Sequence, residues 1–242
     1  AYAARALGVR AVIVMPSAAP EVKRIRTEAL GAQVDLVQGG GEEQWRARAE
    51  ELAAAHDYVM VAPFNDETVI AGQATVGLEI LEDLPEVETI LAPVGGGGLL
   101  GGVAAAVKLS RPGVRVIGVE PSLANDAQAS FRSGRIGELP REQTRRTGAD
   151  GMRATRLGDL TFAHIRAFAD DIVTVDEDEI REATRRLALS ARLVAEPSGA
   201  VAFAAFLFRR AELPEARASV AIISGGNVEP ETLREILSRG SG

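Results

Sequence analysis

The sequence predicts an α/β fold built on parallel sheets, and three observations point there. Short runs rich in Val, Ile and Leu alternate with stretches of helical length and periodicity. Each connection between consecutive strand patterns holds one helix, the crossover that a parallel pair requires. The strand runs are apolar on both faces, as in a sheet covered on both sides.

Taken in order, AYAARALG reads as helix stopped by Gly8, and VRAVIVMP as a strand closed by Pro16. APEVKRIRTEALG is a helix ended by Gly31, QVDLVQG a strand, EEQWRARAEELAAAH an amphipathic helix and DYVMVAP a strand. PFNDETV has turn residues and little apolar periodicity, so it reads as a crossover between domains. The expected division is residues 1–65 and residues 66–242.

Alternation then resumes with the helix IAGQATVGLEILEDL, the strand TILAPV, a glycine loop opening a small-residue helix, and the strand VRVIGVE. The stretch 122–160 reads as irregular and polar. After it come the strand DDIVTV and the helix DEDEIREATRRLALSARL, with Asp176 and Glu179 in capping-box spacing. EPSGAVAFAAFLFRR is a small-residue helix, ASVAIIS a strand, GGNVEP a turn, and a helix follows.

Composition narrows the function classes. Of the 242 residues, 46% are hydrophobic and 25% charged, the ordinary range for a globular chain. Net charge is −7 and no basic block is interleaved with aromatics, which argues against a nucleic-acid surface. The absence of cysteine excludes thiolate metal sites and a cysteine nucleophile. No apolar run reaches the roughly 18 residues of a membrane span, no signal peptide is read, and the cytoplasm is the expected compartment. Arginine carries nearly all the positive charge, since the only lysines are Lys23 and Lys108.

The most informative segment is Gly95, Gly96, Gly97 and Gly98, between a strand pattern and a helix pattern. Such a loop aims several amide donors and the positive end of a helix dipole at one spot, which suits a phosphate. Two identities compete. Gly96, Gly98 and Gly101 satisfy G-x-G-x-x-G, and Glu120 follows where a ribose-binding acid would sit, so a dinucleotide is one. The other is a compact monophosphate wrapped by successive amides. A second glycine turn, Ser224 to Asn227, also follows an apolar strand and suggests the other wall of one pocket.

PVGGGGLLGG, VIGVEPSLAND, EPSGA and SGGN, in this order and spacing, resemble the fold-type II pyridoxal-phosphate enzymes, in the threonine/serine dehydratase and serine racemase group. APFNDETVIAGQATVGLEI is similar to their domain-crossing segment. The resemblance implies two open parallel-sheet α/β domains, 1–65 belonging to the small one and 66–242 being the large cofactor-binding one.

It also implies roles. The amides of Gly95, Gly96, Gly97, Gly98 and Leu99 hold the cofactor phosphate, Ser224 meets the pyridine nitrogen, and Glu196 lies near the ring. Glu120, the Ala124 carbonyl and Asp126 form an all-oxygen site for Mg²⁺ or Ca²⁺. A plain turn serine and a solvated strand end are the alternatives for Ser224 and for Glu120 with Asp126. Asp150 and Gly151 match a structural ADG segment, His56 and His164 read as solvated, and Trp45, Phe203, Phe206 and Phe208 as packing.

One departure from the family stands out. The Schiff-base lysine in its serine–x–lysine context and the asparagine loop for the substrate carboxylate have no counterpart here. The sequence reads as beginning just after that loop, so the catalytic set is empty and the chain alone is expected to be inactive. The implied activity is that of the intact parent, a homodimeric lyase deaminating threonine or serine to a 2-oxo acid and ammonia. The alternatives are a serine or amino-acid racemase of the same fold, an NAD-binding oxidoreductase, and a non-catalytic binding module. Phe64 after the crossover proline favours dehydratase over racemase.

Overall fold

In a computed structural model, described over residues 1–39 and 41–238, the chain forms two compact units. The first comprises Ala1–Val61 with Glu229–Thr232, and the second Ala62–Val228 with the residues from Leu233 on.

In the first unit, α1 (Tyr2–Leu7) ends at Gly8, whose φ of 67° is left-handed. β1 (Val12–Pro16), α2 (Glu21–Ala29), β2 (Gln33–Val37) and α3 (Glu42–His56) follow. β1 and β2 pair in parallel from Val12 opposite Gln33 to Pro16 opposite Val37, with α2 as the crossover. Arg48 on α3 grips the Asp35 carboxylate through two hydrogen bonds of 3.1 and 2.9 Å. The predicted strand DYVMVAP has no ladder. Among the described residues no strand pairs with it, and Val59 and Val61 stand 91% and 74% exposed. β propensity alone does not make a strand without a neighbour to satisfy its backbone.

The second unit carries α4 (Glu67–Asp83), β3 (Thr89–Pro93), α5 (Gly98–Ser110), β4 (Arg115–Pro121), α6 (Asp126–Ser133), the single turn α7 (Arg141–Thr144), α8 (Asp159–Phe168) and β5 (Asp171–Val175). α9 (Glu177–Arg186), α10 (Pro197–Phe208), β6 (Ser219–Ala221) and α11 (Pro230–Ser238) complete it, the start of α11 counting with the first unit. The four strands form one parallel sheet in the order β5-β4-β3-β6.

Alternation along each strand sorts side chains onto two faces. Ile90, Ala92, Val94 and Val116 join α4, α5 and α8 in one core. Leu91, Ile117, Val119 and Val173 join α9 and α10 in the other. α10 is small and apolar all round, which lets its backbone lie close to the sheet, and Pro197 to Ala202 are all buried. The capping box predicted for Asp176 and Glu179 opens α9, with both reciprocal bonds present at 2.9 and 2.8 Å.

The stretch 122–160 is more ordered than its composition predicts, because the start signals of its helices are not local. α6 has no side-chain cap at Asn125; Glu120, before it on β4, accepts hydrogen bonds from the Ala127 and Gln128 amides instead. The Leu160 amide at the start of α8 donates to Asn65 Oδ1 from 95 positions away. A reading of neighbouring residues contains neither partner. Among the described residues, no helix is long and apolar enough to cross a membrane.

Candidate functional site

The tetraglycine segment lies beyond the carboxyl end of β3. The Val94 amide still belongs to the sheet, donating to the Val119 carbonyl at 2.9 Å. Gly95, Gly96 and Gly97 then turn the chain, and α5 begins at Gly98. Among the described residues, the amides of Gly95 to Gly98 donate to no carbonyl and no side chain. They therefore form a row of open donors at the positive end of a thirteen-residue helix.

Why these positions are glycine is answered from behind the loop. A Cβ on Gly96 would sit 2.3 Å from the Phe64 ring. Gly97 has a φ of 95°, and its Cβ would fall 2.9 Å from both Thr161 and Leu157 Cδ2. The side chains that exclude a Cβ are thus protein groups packed on the loop, and the amide edge is left to a ligand.

β6 is the neighbour of β3, and the Ile222 amide extends their ladder to the Leu91 carbonyl at 3.0 Å. The turn Ser224–Asn227 therefore emerges beside the glycine loop, at the same end of the sheet. The N-terminus of α10 joins these two turns. Its N-cap residue Glu196 donates its amide to the Gly225 carbonyl at 3.0 Å, and a Cβ on Gly225 would lie 2.4 Å from Glu196 Oε1. Ser198, in the first turn, accepts a bond from the Gly151 amide at 2.9 Å. The Gly151 carbonyl in turn lies 3.2 Å from where a Gly95 Cβ would be. Gly95 to Leu99, Asp150, Gly151, Glu196 and Ser224 are thus elements of one constellation, with the Ser224 side chain exposed and Glu196 half-buried. Phe64, Asn65, Thr161 and Ser198 are its supports. Local spacing singles out none of them for that task, because each acts on a residue remote in sequence.

Glu120 and Asp126 are 1% and 3% exposed. Burial pushes the Glu120 carboxyl well above the ordinary range, repulsion from Asp126 adds to this, and the Gln128 and Ala127 amides oppose it. Burial raises Asp126 to about 7 against the hydrogen bond of its own amide. Asp126 Oδ2 is buried and finds no hydrogen-bond partner among the described residues. Among those residues there is no group of three or more His, Cys, Asp or Glu side chains able to hold a metal ion. Glu120, expected as a metal ligand or ribose acid, caps α6 with one accepted hydrogen bond at each carboxylate oxygen, and its burial leaves it unsuited to a ribose.

Lys108 is engaged elsewhere. α5 carries it about 15 Å from its first turn, where its ammonium lies 2.7 Å from Asp170 Oδ2 and 3.3 Å from the Pro112 carbonyl. Burial of Asp170 opposes its ionisation, but Lys108, the Val116 amide and Arg115 outweigh it and hold the carboxyl below the ordinary range. Lys108→Met is accordingly expected to destabilise the chain by roughly 1 kcal/mol, since Asp170 loses its half-buried ammonium partner but keeps Arg115 and the Val116 amide, and to leave phosphate-ligand affinity unchanged. Urea denaturation and a binding titration on the same sample check both halves. Lys23 belongs to the first unit, on α2.

Known proteins are similar to this chain in sequence and in fold. The L-threonine ammonia-lyase of Thermotoga maritima is 43% identical over 242 residues, 99% of this chain and 58% of its own length. This chain therefore spans little more than half of that relative. A crystal structure of a threonine deaminase from T.th. matches with a TM-score of 0.85 and 42% identity, covering 94% of this chain and 73% of that one. Maize serine racemase matches with a TM-score of 0.89 and 35% identity, covering 98% and 72%. The family described as "Pyridoxal-phosphate dependent enzyme" matches residues 1–225. A family match over residues 1–225, with relatives and solved structures of this similarity, replaces the dinucleotide alternative: the chain belongs to the pyridoxal-phosphate-dependent enzyme family.

Proposed function

We propose that this chain is the cofactor-binding part of a pyridoxal-phosphate lyase that deaminates a hydroxy amino acid, threonine or serine, to a 2-oxo acid and ammonia. The observation that carries the reading is the row of glycine-loop amides without an acceptor, set beside the Ser224 turn in a chain with threonine ammonia-lyase relatives. Pyridoxal phosphate, when bound, supplies an electron sink for negative charge at the substrate α-carbon.

The residues of this chain do the holding. The amides of Gly95 to Leu99 and the dipole of α5 take the phosphate. The Ser224 hydroxyl donates to the pyridine nitrogen without protonating it. Glu196 borders the ring and is steadied through its own amide by Gly225. None of the residues described above serves as the base at the α-carbon, and Lys108 is held in its ion pair. Glu120, the Ala124 carbonyl and Asp126 hold Mg²⁺ or Ca²⁺; support comes from the buried, unpartnered Asp126 oxygen, which a hard cation would satisfy. A cytoplasmic homodimer is part of the same reading.

The test is a chimera in which this chain replaces the matched region of the Thermotoga maritima relative, the rest of that protein being kept. Loaded with pyridoxal phosphate, it is expected to release a 2-oxo acid from L-threonine and L-serine, while the 242-residue chain alone releases none. The match to maize serine racemase favours a second reading, amino-acid racemisation. Formation of D-serine without 2-oxo acid by the chimera would decide for it.

A further inference from the structure

A loop of consecutive glycines makes a poor rigid cradle. The Gly96–Gly97 peptide has no Cβ on either side, so the usual steric barrier to flipping its plane is missing. In a trans peptide the carbonyl and the following N–H point in opposite directions. Whatever holds the Gly96 carbonyl therefore decides where the Gly97 amide points.

Thr161 provides that hold. It is fully buried in the first turn of α8, with Oγ1 2.8 Å from the Gly96 carbonyl and 3.0 Å from the Gly158 carbonyl. A hydroxyl has one hydrogen to donate, and the Gly96 carbonyl is the nearer acceptor. The position of Thr161 is itself set, since the adjacent Leu160 amide is anchored on Asn65 Oδ1 at 2.9 Å. Its side chain also fills the space behind Gly97, 2.9 Å from where a Cβ would be. With the carbonyl tied to α8, the Gly97 N–H faces the opposite side of the loop, and among the described residues it meets no acceptor there.

We propose that Thr161 is a positioning residue for the phosphate cradle, locking the Gly96–Gly97 peptide so that the Gly97 amide faces the ligand. The inference rests on the pyridoxal-phosphate reading of the loop and adds a residue that touches no ligand. A hydroxyl confined to its own helix, bonding only Gly158, is the competing account.

The test uses the 242-residue chain labelled with ¹⁵N-glycine, in wild-type, Thr161→Ser and Thr161→Val forms, titrated with pyridoxal phosphate. In the wild type and in Thr161→Ser, which keeps the hydroxyl, the Gly97 amide resonance moves on binding and affinities agree within about 2-fold. In Thr161→Val the Gly97 shift is lost and affinity falls about 10-fold or more, the loss of one hydrogen bond to a charged group. The Gly113 amide, in open surroundings, stays in place in all three. Should Thr161→Val fail to fold, Thr161→Ala takes its place in the same measurements. A variant lacking the hydroxyl that keeps both the Gly97 shift and wild-type affinity overturns the inference and leaves the cofactor reading intact. A wild type in which no amide from Gly95 to Gly98 responds to pyridoxal phosphate overturns that reading itself.

Discussion

Gly199→Ala is expected to destabilise the second unit by roughly 3 kcal/mol or more and to abolish pyridoxal-phosphate binding. A Cβ there would lie 2.2 Å from the Gly225 carbonyl oxygen and 2.8 Å from the Gly225 nitrogen. Both are backbone atoms, so no side-chain rotation relieves the overlap. The turn carrying Ser224 or the first turn of α10 must move, and the bond from the Glu196 amide to the Gly225 carbonyl goes with it. Because α10 also reaches the glycine loop through Ser198 and Gly151, the displacement spreads to both walls of the site. The control is Gly113→Ala, where the added methyl meets nothing within 4 Å. Denaturant melts and a pyridoxal-phosphate titration decide, and equal stability and affinity in the two variants would refute the steric account.

The second large effect concerns pH. Asp126 titrates near 7 in the folded chain against an ordinary 3.8, so between those values the folded state binds the extra proton. Stability linked to this group is then fully present below about pH 4 and is lost as pH rises through 7. The shift corresponds to about 4 kcal/mol at most. Asp126→Asn removes the titration, so the variant is expected to gain on the wild type steadily from about pH 4 to about pH 8 in metal-free buffer. Asp126→Asn also removes the repulsion that helps to raise Glu120, so the pH dependence linked to Glu120 falls in the variant and adds to the difference. Millimolar Mg²⁺ or Ca²⁺ at about pH 8 should raise the wild-type melting temperature and leave that of Asp126→Asn where it was. Parallel pH profiles for the two proteins would dispose of the titration, and an absent cation effect would dispose of the metal site.

Much of the architecture was legible because its signals are local. Gly8 and Gly31 close their helices, Asp176 and Glu179 box the start of α9, and strand alternation sorts side chains onto two faces. The glycine loop before α5 and the turn after β6 were legible as backbone features for the same reason. Elements defined by a remote partner were not. The run Tyr58–Val61 has strand composition and no strand, because pairing needs a neighbour that propensity does not supply. α6 and α8 have poor local start signals and form all the same, capped by Glu120 and Asn65.

By itself, then, the sequence determined most of the βα order, the parallel sheets and the family. Each of these depends on residue types at short spacing, where backbone geometry follows from chemistry. Only the tertiary structure decided why the cradle is glycine and what holds it. Phe64, Leu157 and Thr161 crowd its back from segments 32 to 64 positions away from Gly96 or Gly97, and the Thr161 hydroxyl lies 2.8 Å from the Gly96 carbonyl. The tertiary structure also gave Glu120, expected as a metal ligand, the further task of capping a helix from a buried position. The physical reason is common to both. A cap, a close approach or a locked peptide needs two groups to meet in space, and a linear pattern specifies one group at a time.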